Sequence, residues 1–431
     1  MDLRGNLNRF LIFYIDGWKV FRDAQLESRH SPGYFWREQM KAMLLYTTSE
    51  ERLLPYRSFW HNFVIIQSCV FFVTMCYGLT ESIGDNVQMG RDLAFIIGVR
   101  KSLTVQQQII SYKSPLYLQI FYIIFKIVYF LRYGDDLDDV VNDLEKFHPW
   151  AQKGPFTVDY RTGKRWYFLM SFFVSTSWAL FLVIFIGLLI TSPMWVQQQT
   201  LPFHAAFPFQ WHDRSTHPFT HGIIYLFQCY FGTYALTWLL CMEGLSVCIY
   251  VELTFAIEIL CLELRYLHQR CDGNEQLRLE TNRLVRFHQK IVEILNRIND
   301  VFHGTLIMQM SVNFSLVSLS VLEAMEARKD PKVVAQFAVL MLLALGHLSM
   351  WSYFGDLLSQ TSLKISEAAY EAYDPSKGSK EVYRDLCLII RRAQNPLIMR
   401  ASPFPSFNFI NYTAILNQCF GILTFLLNTL D

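Results

Sequence analysis

Charged residues gather in clusters along this chain, and between the clusters lie apolar stretches long enough to cross a bilayer. About 20 residues are needed to span the hydrocarbon core as a helix. Such stretches run Ser58–Thr80, Pro115–Leu131, Trp166–Ile190, about His221–Leu253, Val301–Leu322, Val333–Tyr353 and Phe407–Leu430. The pattern predicts an all-α membrane protein with seven transmembrane helices. Lys126 falls inside the second stretch, where its stem snorkels or its ammonium faces a polar interior. Ahead of the first stretch, the apolar run Phe10–Ile15 is cut off by Asp16. That run is too short for a signal-peptide core and reads as part of an amphipathic helix on the membrane surface.

The loops set a direction. With the N-terminus inside, 28 of the 38 Lys and Arg residues fall in inner segments and 8 in outer ones. Basic residues favour the cytoplasmic side, so the N-terminus is expected in the cytoplasm and the C-terminus outside. This is opposite to a G-protein-coupled receptor. Consistently, Asn395–Pro396 is not followed by a tyrosine at the spacing of such a receptor's last helix, and the 191–220 loop holds no cysteine. The expected organisation is a cytoplasmic N-terminal region with the surface helix (1–57), helices 1–4 (58–253) with the outer loop 191–220, and a cytoplasmic helical anchor (254–300). Helices 5 and 6 (301–355), a second anchor segment (356–403) and a last helix (404–431) follow. In the first anchor, Leu284, Phe287, Ile291, Ile294, Ile298 and Val301 alternate steps of three and four, a heptad seam. A helix that continues from the membrane into the cytoplasm is predicted. Its seam suits packing within the chain and contact between subunits equally.

The last stretch carries Asn411, Thr413, Asn417, Gln418, Thr424 and Asn428, polar groups that hydrocarbon cannot satisfy. On a helical wheel Asn417, Thr424 and Asn428 fall within about 60° of Thr413, with Phe420, Leu427 and Leu423 beside them. Ile415, Ile422 and Leu426 form the opposite face. Two readings stand. The polar groups bond to neighbouring helices, or the stripe faces water in a pore, with Leu423 and Leu427 closing it by dewetting. One helix cannot enclose a pore, so the second reading requires an oligomer.

Composition agrees with a membrane chain: 52% of residues are hydrophobic and only 17% charged, against about 25% charged in soluble domains. The net charge of +1 implies no bulk attraction to nucleic acid. The nine cysteines include no C-x-x-C pair, so neither zinc nor thioredoxin-like chemistry is signalled. His217 and His221 have a helical metal-ligand spacing, but Pro218 stands between them and is expected to interrupt a helix; no metal or other cofactor is expected. Asp135, Asp136, Asp138 and Asp139 lack EF-hand spacing and read as a solvated helix cap. The sequons at Asn313 and Asn411 lie in spans or at their inner edge, so glycosylation is not expected. Without a nucleophile–base motif, P-loop or dinucleotide fingerprint, no enzyme is expected.

Four stretches carry a family resemblance. "LPFHAAFPFQWHDRSTHPFTHGIIYLFQCY" (Leu201–Tyr230) resembles the second extracellular loop of insect odorant receptors. "RFHQKIVEILNRINDVFHGTLIMQM" (Arg286–Met310), "YFGDLLSQTSLKISEAAYEAYD" (Tyr353–Asp374) and "IIRRAQNPLIMRASPFPSFNFIN" (Ile389–Asn411) are similar to their stretches around helices five, six and seven. The last helix has Cys419, Phe420 and Gly421 where many ligand-specific members have Ser-Tyr-Ser, and it lacks the Thr-Tyr and Gln pair of gustatory receptors and the co-receptor. "GVRKSLTVQQQIISYKSP" reads as an insertion or an outer extension of helix two.

The resemblance implies a ligand-tuning subunit of a tetrameric, ligand-gated, non-selective cation channel. It would work with the odorant receptor co-receptor in the plasma membrane of a sensory neuron dendrite and serve olfactory transduction. The alternatives are a gustatory-type channel of the same superfamily or a metabotropic seven-helix chemoreceptor. The resemblance also puts a small volatile organic ligand in the outer bundle. The candidate contacts are Tyr117, Phe121 and Tyr122; Ser177, Trp178, Phe181 and Leu182; Tyr225, Gln228 and Phe231; and Phe337 and Met341. It puts Asn417, Phe420, Leu423, Thr424 and Leu427 along the pore.

Overall fold

A computed structural model describes residues 37, 40–41, 55–84, 114–146, scattered positions between 158 and 187, 201, 211, 215–271, 273–326, 331–375 and 379–430. The chain is all-α: regular structure among the described residues is helical, apart from one isolated bridge between Ala401 and Phe404. We number the helices α1 (Pro55–Gly84), α2 (Ser114–Arg132), α3 (Gly134–Glu145), α4 (Pro218–Arg265), α5 (Asn274–Glu326), α6 (Pro331–Glu371), α7 (Lys380–Ala393) and α8 (Phe409–Leu430). Every described residue between 158 and 187 is also helical. Apart from Arg37, Met40 and Lys41, the expected surface-helix region before residue 55 lies outside the described residues, as does the 85–113 stretch.

Three helices are much longer than a bilayer is thick. At 1.5 Å per residue, α4, α5 and α6 with 48, 53 and 41 residues run about 72, 80 and 62 Å. The hydrocarbon core is only about 30 Å. Among the described residues, α4 and the 274–321 part of α5 are long and apolar enough to cross a membrane, with mean hydropathies of 2.0 and 1.3 over their most apolar windows. α4 is central: every residue from Cys241 to Ile257 is buried. Pro218 opens α4 as its first residue, after His217. There its missing N–H costs nothing, so Pro218 starts a helix where the sequence pattern had it interrupting one.

The heptad seam of α5 is filled by the chain itself. Leu284, Phe287, Ile291, Ile294, Ile298 and Val301 are all buried, and α5 packs on α6, α2, α4 and α7. α7 adds Val382, Leu386, Ile389 and Ala393 at helical spacing, also buried. Glu381 lies in its first turn and Arg391 and Arg392 in its last, matching the helix dipole. The α4–α5 turn is tied by Glu263, which pairs with Arg270 and Arg283. Burial works against the Arg283 charge, but Glu263 and Glu280 outweigh it and raise its pKa.

On the same side, the acidic cluster caps α3 and anchors it. Asp135 and Asp136 lie in the first turn of α3, where negative charge suits the helix N-terminus. Asp138 pairs with Lys41 at 2.6 Å. Asp143 pairs with Arg297 of α5 and, at 2.8 Å, with Lys146. Burial raises the Asp143 pKa, but hydrogen bonds from Lys146 and Arg297 and the charges of Lys290 and Arg297 reverse this and hold it at about 2.

The link from α7 to α8 has no ladder of its own, so side chains take its backbone groups. Asn299 Nδ2 donates to the Ile398 carbonyl at 3.1 Å, and the Arg400 N–H donates to Asn299 Oδ1 at 3.1 Å. The Leu397 N–H donates to Ser362 Oγ at 2.9 Å. At Gly355 a Cβ would fall on the Phe407 carbonyl oxygen, so only glycine lets this link cross α6 so closely. Asn408 then caps α8 through Oδ1, which accepts from the Asn411 N–H at 2.7 Å.

Candidate functional site

Four helices meet at a buried polar layer. Lys126 of α2 is paired with Glu243 of α4, and their side chains are 4% and 3% exposed. From α6, Trp351 Nε1 donates to Glu243 Oε2 at 3.1 Å and lies 3.2 Å from His347 Nε2. His347 Nε2 is itself 3.3 Å from Glu243 Oε2. Neutral His347 can accept from Trp351; protonated, it can donate to Glu243. Asn313 Nδ2 of α5 is 3.4 Å from His347 Nδ1. The Lys126 ammonium sits 4.7 Å from the ring centroid of Tyr122, and Tyr122 OH donates to Gln309 Oε1 of α5 at 3.2 Å.

This layer has a chemical reason to stay closed. A lone charge at the centre of a membrane helix costs about 2.5–3.5 kcal/mol on insertion scales. Removing one partner of a buried pair costs about 3–5 kcal/mol, because the other is left uncompensated. Lys126 drew attention in the sequence as a lysine inside a span. Glu243, His347 and Trp351 did not, although Glu243 and His347 also lie inside apolar stretches. A search for a partner to Lys126 among acidic residues in the spans would have left two, Glu243 and Glu252.

The structure brings only some candidate ligand residues together. Tyr122 belongs to a small apolar cluster with Val312, Leu316, Ala344 and Cys419, and Met341 packs against it. Phe121 and Phe231 turn to α1 instead: Phe121 lies 5.7 Å from Phe72, and Phe231 stacks on Phe71 at 4.2 Å. Gln228 is buried on α4 and Tyr225 half-buried on the same helix. Ser177 is helical and exposed. Trp178, Phe181 and Leu182 lie outside the described residues, as do the side chains of Tyr117 and Phe337.

On α8 the two faces differ. Thr413, Asn417 and Phe420 are exposed, whereas Cys419 is buried and Ile415 packs on the core. Thr424 is half-buried, and its hydroxyl donates to the Phe420 and Gly421 carbonyls at 3.1 and 2.9 Å. Thr413 likewise donates to Ile410 at 2.8 Å. Both hydroxyls are thus satisfied within their own helix, and Asn411 Nδ2 donates back to the Ser406 carbonyl, just ahead of the helix, at 2.7 Å. The side chains of Leu423 and Leu427 lie outside the described residues.

A groove of about 650 Å³ lies toward the other end of α4 and α6, lined by Trp166, Phe255, Leu262, Arg265, Leu357 and Lys364 among others. Its charged groups already pair: Lys364 with Glu258 at 3.2 Å, and Arg265 with Glu371 at 2.8 Å. Its lining residue Leu357 lies about 24 Å along α6 from Met341. Among the described residues no group of His, Cys, Asp and Glu is arranged to hold a metal ion.

Comparison with known proteins gives these helices relatives. Residues 111–420 match the family described as 7tm Odorant receptor. Putative odorant receptor 65c of Drosophila melanogaster is 73% identical over 431 residues and is covered, like this chain, at 100%. Odorant receptor 65a of the same organism is 43% identical, with 99% of this chain and 98% of that one aligned. Odorant receptor 47b, also from Drosophila melanogaster, is 27% identical over 97% of each. Among solved structures, the insect olfactory receptor OR5 from Machilis hrabei in complex with eugenol aligns with a TM-score of 0.68 at 15% identity, covering 91% of this chain and 97% of that chain. At that identity the likeness concerns the fold.

Proposed function

The chain belongs to the 7tm odorant receptor family, a family of membrane-embedded receptors, and from that premise we propose that it is the odorant-tuning subunit of a heteromeric, ligand-gated cation channel. The observation that carries this reading is the outward face of α8, where the Asn417 amide is exposed between Thr413 and Phe420, while Ile415 and Cys419 tie the other side of the helix to the bundle. Water in a shared pore satisfies the Asn417 amide and lipid does not. The partner is the odorant receptor co-receptor, and the last helices of the assembled subunits enclose the pore. Asn417, Phe420, Leu423, Thr424 and Leu427 line it, with Leu423 and Leu427 as its hydrophobic gate. No acidic ring is present among them, so cations pass with little discrimination. The seam of α5 is occupied within the chain, so contact between anchors uses the remaining surface of the extended helices.

The ligand is a small volatile organic molecule held in the outer bundle, with Tyr122 and Met341 at the centre of the candidate contacts. One solved relative is described in complex with eugenol, a molecule of that class. Binding biases a closed–open equilibrium, in the plasma membrane of an olfactory neuron dendrite. The test is ligand-evoked current in cells whose G-protein signalling is blocked, with and without the co-receptor. Current that needs both subunits supports the reading. Signalling that disappears with the G-protein block, and no current, overturns it in favour of a metabotropic receptor.

A further inference from the structure

The polar layer lies between the candidate ligand residues and the base of α8. On one side are Tyr122, Met341 and the apolar cluster that includes Cys419 of α8. On the other, Trp351 meets Tyr250 edge-on at 6.0 Å and Phe407 at 6.2 Å. One turn further along α6, Gly355 admits the Phe407 backbone, and Phe407 leads directly into Asn408, the cap of α8. Trp351 therefore has two attachments: its Nε1–H to Glu243, and its ring to the segment that starts the last helix.

We infer that Lys126, Glu243 and Trp351 are positioning residues for gating: the buried ion pair pins α2 to α4, and Trp351 couples that pin to the base of α8. This rests on the channel reading above. The pair cannot part without stranding a charge in apolar surroundings, so α2 and α4 move as one body at this level. Displacement of the ligand-facing parts of α2 and α6 must then pivot on the pin, and Trp351 passes the pivot to Phe407.

Two variants separate coupling from mere support. Trp351→Phe keeps a ring against Phe407 but deletes the bond to Glu243. The double change Lys126→Met with Glu243→Met replaces the pair by apolar side chains, which buried pairs often tolerate. Each is combined with Asn417→Cys, and modification at that position by a water-borne thiol reagent is followed without ligand. Mass mapping of position 417 keeps the native cysteines out of the readout. At equal surface protein we expect the rate to differ from that of Asn417→Cys alone by about 5-fold or more in both backgrounds. Maximal ligand-evoked current should fall by a similar factor, with a smaller change in half-maximal concentration. Rates matching the parent in both backgrounds, or in Trp351→Phe alone, overturn the inference. If the double variant does not reach the surface, Trp351→Phe decides. A parent chain that passes no ligand-evoked current defeats the channel reading, while the ligand-free rates still judge the coupling. No reaction at position 417 in any background defeats both.

Discussion

Along α5, six apolar residues from Leu284 to Val301 recur at helical spacing, and the chain buries every one of them. Along α8, Thr413, Asn417 and Phe420 recur at similar spacing, and the chain leaves them exposed. The seam of the first helix is filled in one copy, where α5 packs on α6, α2, α4 and α7. Among the described residues, the second is secured at its base and along the Ile415–Cys419 side. The base of the bundle therefore has its own packing, whereas the exposed face of the last helix is, in the proposal above, the surface that meets other chains. Substitutions in the two regions should separate cleanly into those that cost folding and those that cost function.

The largest effect is expected in the support. Ile294→Ala deletes a fully buried part of the seam and should destabilise the fold by about 2–5 kcal/mol, read as a lower melting temperature in detergent and lower surface density. Gly355→Ala strikes where the two regions join. The new Cβ would fall on the Phe407 carbonyl, so α6 and the link to α8 must move apart, at about 1–3 kcal/mol. Surface density should drop partly, and ligand-evoked current more than density. Equal losses would mean that the junction supports α8 without controlling it.

Asp143 offers a gentler probe of the same support. Its folded pKa of about 2 lies below the usual carboxylate value, so its stabilisation is present above about pH 4 and fades as the pH falls toward 2. Solvent screening of its partners limits the contribution to about 1–2 kcal/mol. Asp143→Asn should thus melt earlier at pH 7 and converge on the parent in acid. Burial, with Arg392 nearby, lowers the pKa of His288 to about 4. That removes stability as the pH falls from about 6.5 toward 4, a window His288→Gln should abolish. The smallest effect on folding belongs to α8: Asn417→Leu lies on an exposed face and should change stability by no more than about 0.5 kcal/mol, while altering current through the assembled channel.

The longer helices α1, α2, α4, α5, α6 and α8 were legible because each contains a long apolar run of the kind membrane insertion imposes, whereas the charged, amphipathic α3 and α7 carry none. The α5 seam was legible because its period is local, but which surface would fill it was not; α6, α2, α4 and α7 supply that surface, and most of it is distant in sequence. The polar layer shows the same limit. Lys126 stood out by itself, yet Glu243 is 117 residues away, and nothing local links them. Tyr122 and Met341 were named from a resemblance and come to one cluster, whereas Phe121 and Phe231 pack toward α1. Pro218 was misjudged because proline breaks a helix interior but suits a first turn, and only the start point distinguishes the two.

The central claim is that water of a pore shared with other subunits wets one face of α8. Single cysteines at Thr413, Asn417 and Ile415, alongside the native Cys419, test it in the complex with the co-receptor. Water-borne thiol reagents should modify positions 413 and 417 and block current there, while Ile415→Cys and Cys419 stay inert. Reaction at 415 and 419 with none at 413 and 417 would mean that the opposite face lines the conduit, and the account would be wrong.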